Sequence, residues 1–220
     1  MDGFAAWLKQ LQFDGVWQTA VLVAASLLCI TFHETCHGLA AYALGDPTAK
    51  RAHRLSLNPL RHIDWLGLIM MVVAGFGWAK PVPVDPRYFK KPKQGMAITA
   101  LAGPVSNFLL ALVLLLIARG VYLRALVTGQ LSETWFSFLL NTASLSVGLG
   151  LFNLVPIPPL DGSKVLAVLL PDRAYSWLMR YERFGMLLLL AVISVGIGSN
   201  ALDSAIRWVF MLLCKIVGLV

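Results

Sequence analysis

Long runs of apolar residues, separated by short polar, basic or proline-containing segments, dominate this chain of 220 residues. Four of these runs lie at residues 16–44, 96–118, 132–155 and 184–202. Each is close to, or above, the roughly 20 residues with which a helix crosses a bilayer. Turn-forming or charged residues follow each run. Such residues do not continue an apolar helix, so they mark where each predicted helix ends. The pattern predicts an all-α polytopic membrane protein, a bundle of four to six transmembrane helices.

Three shorter segments follow other patterns. Residues 1–15 mix apolar and charged side chains and predict an interfacial amphipathic helix, and residues 205–220 predict a short C-terminal apolar helix. Residues 65–79 are apolar but too short for an ordinary span, and basic clusters flank them on both sides. A span would place one of these clusters outside, against the positive-inside rule. We therefore predict a re-entrant element with a β-hairpin over residues 65–86; a short, tilted span is the alternative.

Composition agrees with a single membrane domain over residues 1–220. Hydrophobic residues make up 58% and charged residues 13% of the chain, against about 45–50% and about 25% in soluble domains. The formal net charge is +7, but the cations lie in short loops between apolar runs. We interpret them as topology signals and as contacts with anionic lipid headgroups, so the expected partner is the bilayer and not a nucleic acid.

The strongest chemical signal is the pentapeptide His33-Glu34-Thr35-Cys36-His37 inside the first apolar run. Residues four apart share one face of a helix, so His33 and His37 can bind one metal ion, and Glu34 can reach a water molecule at that ion. Ionisable groups in an apolar helix cost roughly 2.5–3.5 kcal/mol each on insertion scales, and a bound cation offsets that cost. The alternatives are a chance match and polar packing.

A catalytic zinc ion usually has three protein ligands and one open position, so the two histidines need a further partner. Asp161 is our candidate, because prolines at 156, 158 and 159 stop the preceding helix and a glycine follows the aspartate. The alternative for Asp161 is a solvated loop carboxylate. His53 and His62 are rival ligands, but both lie in basic loops.

The two motifs resemble those of the site-2 protease family of intramembrane zinc metalloproteases. The first is HETCH at 33–37 within a membrane helix, and the second is NLVPIPPLDG at 153–162. Three further stretches are similar to the short prokaryotic branch of the family, which lacks PDZ and CBS domains: SLNPLRHID at 56–64, GWAKPVPV at 77–84 and AGPVSN at 102–107. Trp65 departs from the proline of that branch, which leaves the path of residues 65–75 open.

The resemblance implies a role for each motif residue. His33, His37 and Asp161 would ligate one Zn²⁺ per chain, and Glu34 would be the general base for peptide hydrolysis by zinc-activated water. Asn153 would lie near the site, where its amide could position substrate or donate to an oxyanion; an interhelical hydrogen bond is the alternative.

The implied substrates are transmembrane proteins or peptides, cut within or near the bilayer. A helix hides its carbonyls in internal hydrogen bonds, so such a substrate must unwind, and an edge strand can pair with it. We predict that edge over residues 73–84, with Gly75 and Gly77 as substrate-positioning residues; a loop plug is the alternative. We interpret Asn107 as a residue that holds helices together and Cys36 as a packing residue; contact with the metal as a thiolate is the alternative for Cys36.

Two other functions remain open from the sequence alone. A divalent-cation transporter also buries His and carboxylate groups, but spreads them along a pore, whereas here they concentrate at one point. A catalytically inactive relative would most simply lose Glu34 or a ligand. We therefore expect a zinc endopeptidase in a prokaryotic plasma membrane, with its active site toward the cytoplasmic side, where the basic loops lie.

Overall fold

The structure, a computed structural model of the chain, describes residues 16–74, 77–196 and 198–220. All regular secondary structure in these ranges is helical, which confirms the predicted all-α class. In chain order the α-helices are α1 (Val16–Ala43), α2 (Thr48–Arg51), α3 (Trp65–Ala74), α4 (Pro92–Thr128), α5 (Glu133–Asn153), α6 (Asp161–Ala167), α7 (Asp172–Val195) and α8 (Ser199–Val217). Two single turns of 3-10 helix, Pro59–Arg61 and Pro86–Tyr88, lie in the loops.

Three of the helices in the described part of the chain are long and apolar enough to cross a membrane: α1 from Thr19 onward, α4 and α5. The chain is therefore a polytopic membrane protein. α4 has 37 residues, so it is about 55 Å long at 1.5 Å per residue. The predicted span over 96–118 covers only its apolar middle. Pro92 lies in the first turn, where a helix needs no N–H donor, and Gly129 ends the helix with φ 68°.

α4 is the central helix and makes its most extensive contacts with α5 and α1. These three helices bury small and medium-sized side chains against one another, so their backbones approach closely. The fully buried members are Cys29, Ala111, Leu115, Ala118, Ala143 and Val147. α8 covers this core with Ile206, Cys214 and Val217. The resulting bundle fixes how α1 and α4 are oriented toward each other.

The predicted span over residues 184–202 differs from the structure, which divides it between two helices. α7 begins ahead of the apolar run and ends at Val195, and α8 begins at Ser199. Gly196 and Gly198 have φ values of 74° and 79°, in the left-handed region that glycine adopts without strain. The chain therefore turns between the two helices, and the predicted C-terminal helix over 205–220 is the later part of α8.

The described residues of the 65–86 element, 65–74 and 77–86, form no β-hairpin. The apolar run forms the helix α3, and residues 77–85 return beside it as a non-helical segment, hereafter the return segment. Ile63 and Ala79 form one isolated antiparallel bridge. No strand ladder can extend it far, because prolines at 81 and 83 lack the N–H donors that a ladder needs.

α3 and the return segment meet backbone to backbone. A Cβ atom added to Gly67 would overlap the carbonyl of Trp78, and one added to Gly77 would overlap the carbonyl of Gly67. At the start of α3, Oδ1 of Asp64 accepts hydrogen bonds from two backbone N–H groups of the first turn. The predicted interfacial helix over 1–15 and Gly75 lie outside the described residues.

Candidate metal centre and active site

α1 brings two histidines and a glutamate together near its C-terminal end. His33 and His37 are buried, and their ring centroids are 4.5 Å apart with nearly perpendicular planes (89°). One ligand atom from each of His33, Glu34 and His37 lies within 4.8 Å of the others. The spacing of one helical turn between the histidines places both rings on the same face of α1.

Asp161 reaches the two histidines from the other half of the chain. Its Oδ2 atom lies 3.1 Å from Nε2 of His33 and 3.1 Å from Nε2 of His37. Asp161 is the first residue of α6 and is buried. Beside it, Gly162 packs so closely on the carbonyl of Leu154 that a Cβ atom would not fit. The tight crossing between the end of α5 and the start of α6 therefore places the carboxylate.

The outer nitrogens of both rings contact oxygens from α4. Nδ1 of His33 lies 2.6 Å from Oδ1 of Asn107, and Nδ1 of His37 lies 2.7 Å from the backbone oxygen of Thr99. Because these oxygens accept hydrogen bonds, each Nδ1 carries the proton, and the neutral rings direct unprotonated Nε2 atoms at Asp161. Three acceptor atoms, Nε2 of His33, Nε2 of His37 and Oδ2 of Asp161, thus converge without a hydrogen-bond donor between them. A bound cation would interact favourably with all three. Two imidazole nitrogens and one carboxylate oxygen form a donor set suited to catalytic zinc.

The charge at Asp161 leads to the same conclusion. Asp161 is buried, and a buried carboxylate is costly unless hydrogen-bond donors or a positive charge compensate it. The Asp161 carboxylate therefore requires a positive charge next to Oδ2, the oxygen that faces His33 and His37. The Lys164 ammonium lies 4.0 Å from the other carboxylate oxygen, Oδ1. A divalent cation can supply the positive charge while both rings stay neutral.

Glu34 contacts the return segment. Its Oε2 atom accepts a hydrogen bond from the backbone N–H of Val82, with an N···O distance of 2.8 Å. Val82 is buried, so the contact lies in the protein interior. One carboxylate oxygen of Glu34 is thus held by a fixed backbone donor, which orients the side chain beside the two histidines.

The return segment is itself held by buried polar groups of the preceding loop. Nη2 of Arg54 donates to the carbonyl of Lys80 (2.5 Å) and points at that of Pro81 (3.4 Å). The N–H of Lys80 donates to the carbonyl of His62 (3.0 Å). His62 is 1% exposed, and its Nε2 lies 2.8 Å from the carbonyl oxygen of Ser56. Arg54 and His62 therefore fix the backbone that orients Glu34.

The remaining residues singled out from the sequence have other contacts. The Asn153 amide donates to the carbonyl of Leu149 within its own helix (3.0 Å). Gly77 contacts α3, and Gly75 is not among the described residues. His53 is exposed in its loop, and His62 packs on the loop backbone, so neither rival ligand joins the group around His33.

Three groups surround the histidines and the glutamate: the Asn107 side chain, which sequence reasoning named only as a residue that joins helices, and the Thr99 carbonyl and the Val82 N–H, which it missed. A signal existed only for Asn107, which is a strongly polar residue within the apolar run of α4. The other two are backbone groups, which any residue type provides. Their positions follow from how α4 and the return segment pack on α1.

Comparison with known proteins agrees with this geometry. The model of peptidase family M50 matches residues 21–195. A relative from Bacillus subtilis (strain 168), named "Putative zinc metalloprotease YwhC", is 39% identical over 186 residues, which cover 82% of this chain and 83% of the relative. "Putative zinc metalloprotease Rip2" from Mycolicibacterium smegmatis is 26% identical over 218 residues, covering 94% of this chain and 81% of the relative. No solved structure matches the chain significantly.

The family match covers α1 and α6 and therefore both motifs of the site. Hydrolysis, and not cation transport, is the activity to which such a match points. The chain belongs to peptidase family M50 and is a zinc metalloprotease of the site-2 protease type.

Proposed function

We propose that this protein hydrolyses peptide bonds within or near transmembrane segments of membrane-protein substrates. His33, His37 and Asp161 hold one zinc ion, and Glu34 is the general base. The observation that carries this proposal is the convergence of two unprotonated imidazole nitrogens on one buried carboxylate oxygen, at 3.1 Å each. When bound, zinc supplies Lewis-acid chemistry that makes water a nucleophile near neutral pH.

Glu34 moves the protons of the reaction. It accepts one proton from the attacking water as the new C–O bond forms, and later delivers that proton to the leaving nitrogen as the C–N bond breaks, which gives a carboxyl group and a neutral amine. The Val82 N–H engages Oε2, and we assign Oε1 to the water. One carboxylate oxygen of Glu34 lies within 4.8 Å of ligand nitrogens of both His33 and His37, so the carboxylate lies on the ligand side of α1.

The position of the histidines within a membrane-crossing helix supports this substrate class. His33 and His37 lie inside α1, one of the helices able to cross the membrane. A peptide bond that reaches them comes from a membrane segment or its edge, and that segment must be locally unwound to expose its carbonyl. The return segment touches Glu34 and is the proposed place where the opened peptide lies. Gly75, Gly77 and Asn153 are the proposed substrate-positioning residues.

The cellular setting is part of the proposal. α1 ends and α4 begins at the same side of the bundle, where the exposed cations Lys50, Arg51, Lys90 and Lys91 lie. The positive-inside rule assigns this side to the cytoplasm. We therefore place the protein in a prokaryotic plasma membrane, with the site toward its cytoplasmic face.

Metal content and activity of matched variants test the proposal. We expect about one zinc per chain in detergent-purified wild-type protein by elemental analysis, marked loss in Asp161→Ala, and retention in Glu34→Gln. Cleavage of single-span model proteins in proteoliposomes should fall about 10²–10⁴-fold in Glu34→Gln, because general-base catalysis is lost.

Glu133→Gln is the matched control, because Glu133 is an exposed carboxylate at the start of α5. It should keep both zinc and activity. Wild-type protein without zinc would contradict the metal site, and cleavage by Glu34→Gln at the wild-type rate would contradict the general-base role.

A further inference from the structure

We propose that Asn107 is a positioning residue that keeps His33 in the tautomer able to bind zinc. This inference rests on the proposed function, because it concerns a ligand of the same metal site. Asn107 does not touch the reacting atoms. It acts on the metal site through the orientation and tautomer of one imidazole ring.

The Asn107 side chain is completely buried where three helices meet. From α4 its Oδ1 atom lies 2.6 Å from Nδ1 of His33 on α1. Its Nδ2 atom donates to Oγ of Ser146 on α5 at 3.1 Å and lies 3.4 Å from the carbonyl of Cys29 on α1. The side-chain amide of this one α4 residue thus connects α4 with both α1, which carries His33, and α5.

The orientation of the amide is determined by its neighbours. The Ser146 hydroxyl donates to the backbone carbonyl of Asn107 (2.8 Å), so its oxygen can only accept from the side chain. The Cys29 carbonyl is also only an acceptor. Both therefore require the NH₂ group on their side, which leaves Oδ1 for His33. An acceptor at that position requires a proton on Nδ1 and leaves Nε2 free to bind a metal.

The second histidine is secured in a different way. Nδ1 of His37 donates to the backbone oxygen of Thr99, which no side-chain substitution removes. Among the described residues, His33 has only the Asn107 amide for the same purpose. Loss of such an outer hydrogen bond to a metal-binding histidine typically lowers metal affinity 10–100-fold.

The competing explanation is that Asn107 merely joins helices through Nδ2. Two substitutions of similar size separate the explanations. Asn107→Asp keeps an acceptor for His33 but loses the NH₂ donor, whereas Asn107→Leu loses both. If Oδ1 carries the function, Asn107→Asp binds zinc more tightly than Asn107→Leu. If Nδ2 carries it, the two variants lose equally.

Zinc affinity is measured by competition with a chromophoric chelator in detergent, and thermal unfolding is measured on the metal-free proteins. We expect Asn107→Leu to bind zinc about 10–100-fold more weakly than wild type and Asn107→Asp to lie between them. Wild-type affinity in Asn107→Leu would overturn the inference, as would equal losses in both variants.

Two further variants keep the test decisive if Asn107→Leu does not fold. Ser146→Ala leaves Asn107 in place but removes the nearer of the two acceptors that orient its amide, so zinc affinity should fall by less than in Asn107→Leu; unchanged affinity would overturn the role of Ser146 in the orientation argument. Thr142→Val, one turn away on α5 and equally buried, is the packing control and should bind zinc as wild type does. A wild-type protein that binds no zinc would instead defeat the proposed function.

Discussion

At the scale of single residues, the space around the two histidines is as important as their ligand atoms. Gly103 of α4 lies directly against both rings. A Cβ atom added there would be 2.5 Å from Cε1 and Nε2 of His37 and 2.6 Å from Cε1 of His33. The rings can therefore occupy their positions only because this residue has no side chain.

Gly103→Ala should accordingly displace the two imidazole rings. Overpacking of this kind costs roughly 1–3 kcal/mol, and we expect a lower zinc content together with a lower melting temperature. Gly120→Ala on the same helix is the control, because a Cβ atom there meets nothing within 4 Å. Zinc content and thermal unfolding of both variants check the prediction, and a fully zinc-loaded Gly103→Ala protein would contradict it.

The sequence revealed the residues expected to bind the metal more completely than the groups around them. The spacing of His33 and His37 is a local property of one helix, so it can be read without a fold. Their hydrogen-bond partners are distant in the sequence. Asn107 lies 74 residues after His33, and Thr99 lies 62 residues after His37. Such contacts depend on the rotation of α4 against α1, which hydrophobic periodicity does not specify.

At the scale of elements, the return segment is the part that connects the loops to the chemistry. Arg54 is buried, and its Nη2 atom donates to the carbonyls of Lys80 and Pro81. These two residues immediately precede Val82, whose N–H donates to Glu34. Two further contacts hold the segment: the pairing of Ile63 with Ala79, and the hydrogen bond that the Asp85 N–H donates to Oδ2 of Asp46 (2.7 Å).

Arg54→Met should therefore weaken catalysis without removing the metal. Hydrogen bonds from charged groups contribute about 1.5–3 kcal/mol, so we expect turnover to fall by about 10–100-fold while zinc content stays at the wild-type level. Arg61→Met is the matched control, since exposed Arg61 also donates to a loop carbonyl, that of His53. A loss of zinc in Arg54→Met, or equal turnover in the two variants, would contradict this role.

The boundaries of elements were the least predictable feature. The long apolar run at 184–202 predicts one span, but two glycines with positive φ divide it between α7 and α8. Similarly, the run at 65–74 forms the helix α3 because its prolines come later, in the return segment. In both places a few turn-forming residues outweigh the average hydropathy of the stretch.

At the scale of the whole molecule, the length of α4 determines which loops share a side of the membrane. At about 55 Å, the helix is longer than the hydrocarbon core of about 30 Å, so its two ends lie in different aqueous phases. The basic loops before it are joined to each other, because Arg51 donates to the hydroxyl of Tyr88 (3.2 Å).

Single-cysteine labelling checks this arrangement. We expect Arg51→Cys and Lys90→Cys to react with a membrane-impermeant maleimide from the cytoplasmic side, and Arg124→Cys from the opposite side. The natural thiols Cys29 and Cys214 are buried and are replaced, with Cys36, in the background protein. Labelling of Lys90→Cys and Arg124→Cys from the same side would contradict a membrane-crossing α4.

The contact between Gly67 and Gly77 has a consequence for how lipid solvates the chain. Non-helical backbone exposes peptide groups that hydrocarbon cannot hydrogen-bond, so at bilayer depth it persists only where protein covers it. α3 covers the return segment without an intervening side chain, while its own outer face presents exposed apolar residues: Trp65, Leu66, Ile69, Val72 and Val73. At Gly77 and Trp78 this short helix thereby screens irregular backbone from the acyl chains. A change that shortens or tilts α3 would alter the lipid exposure of that backbone before it altered any group at the metal site.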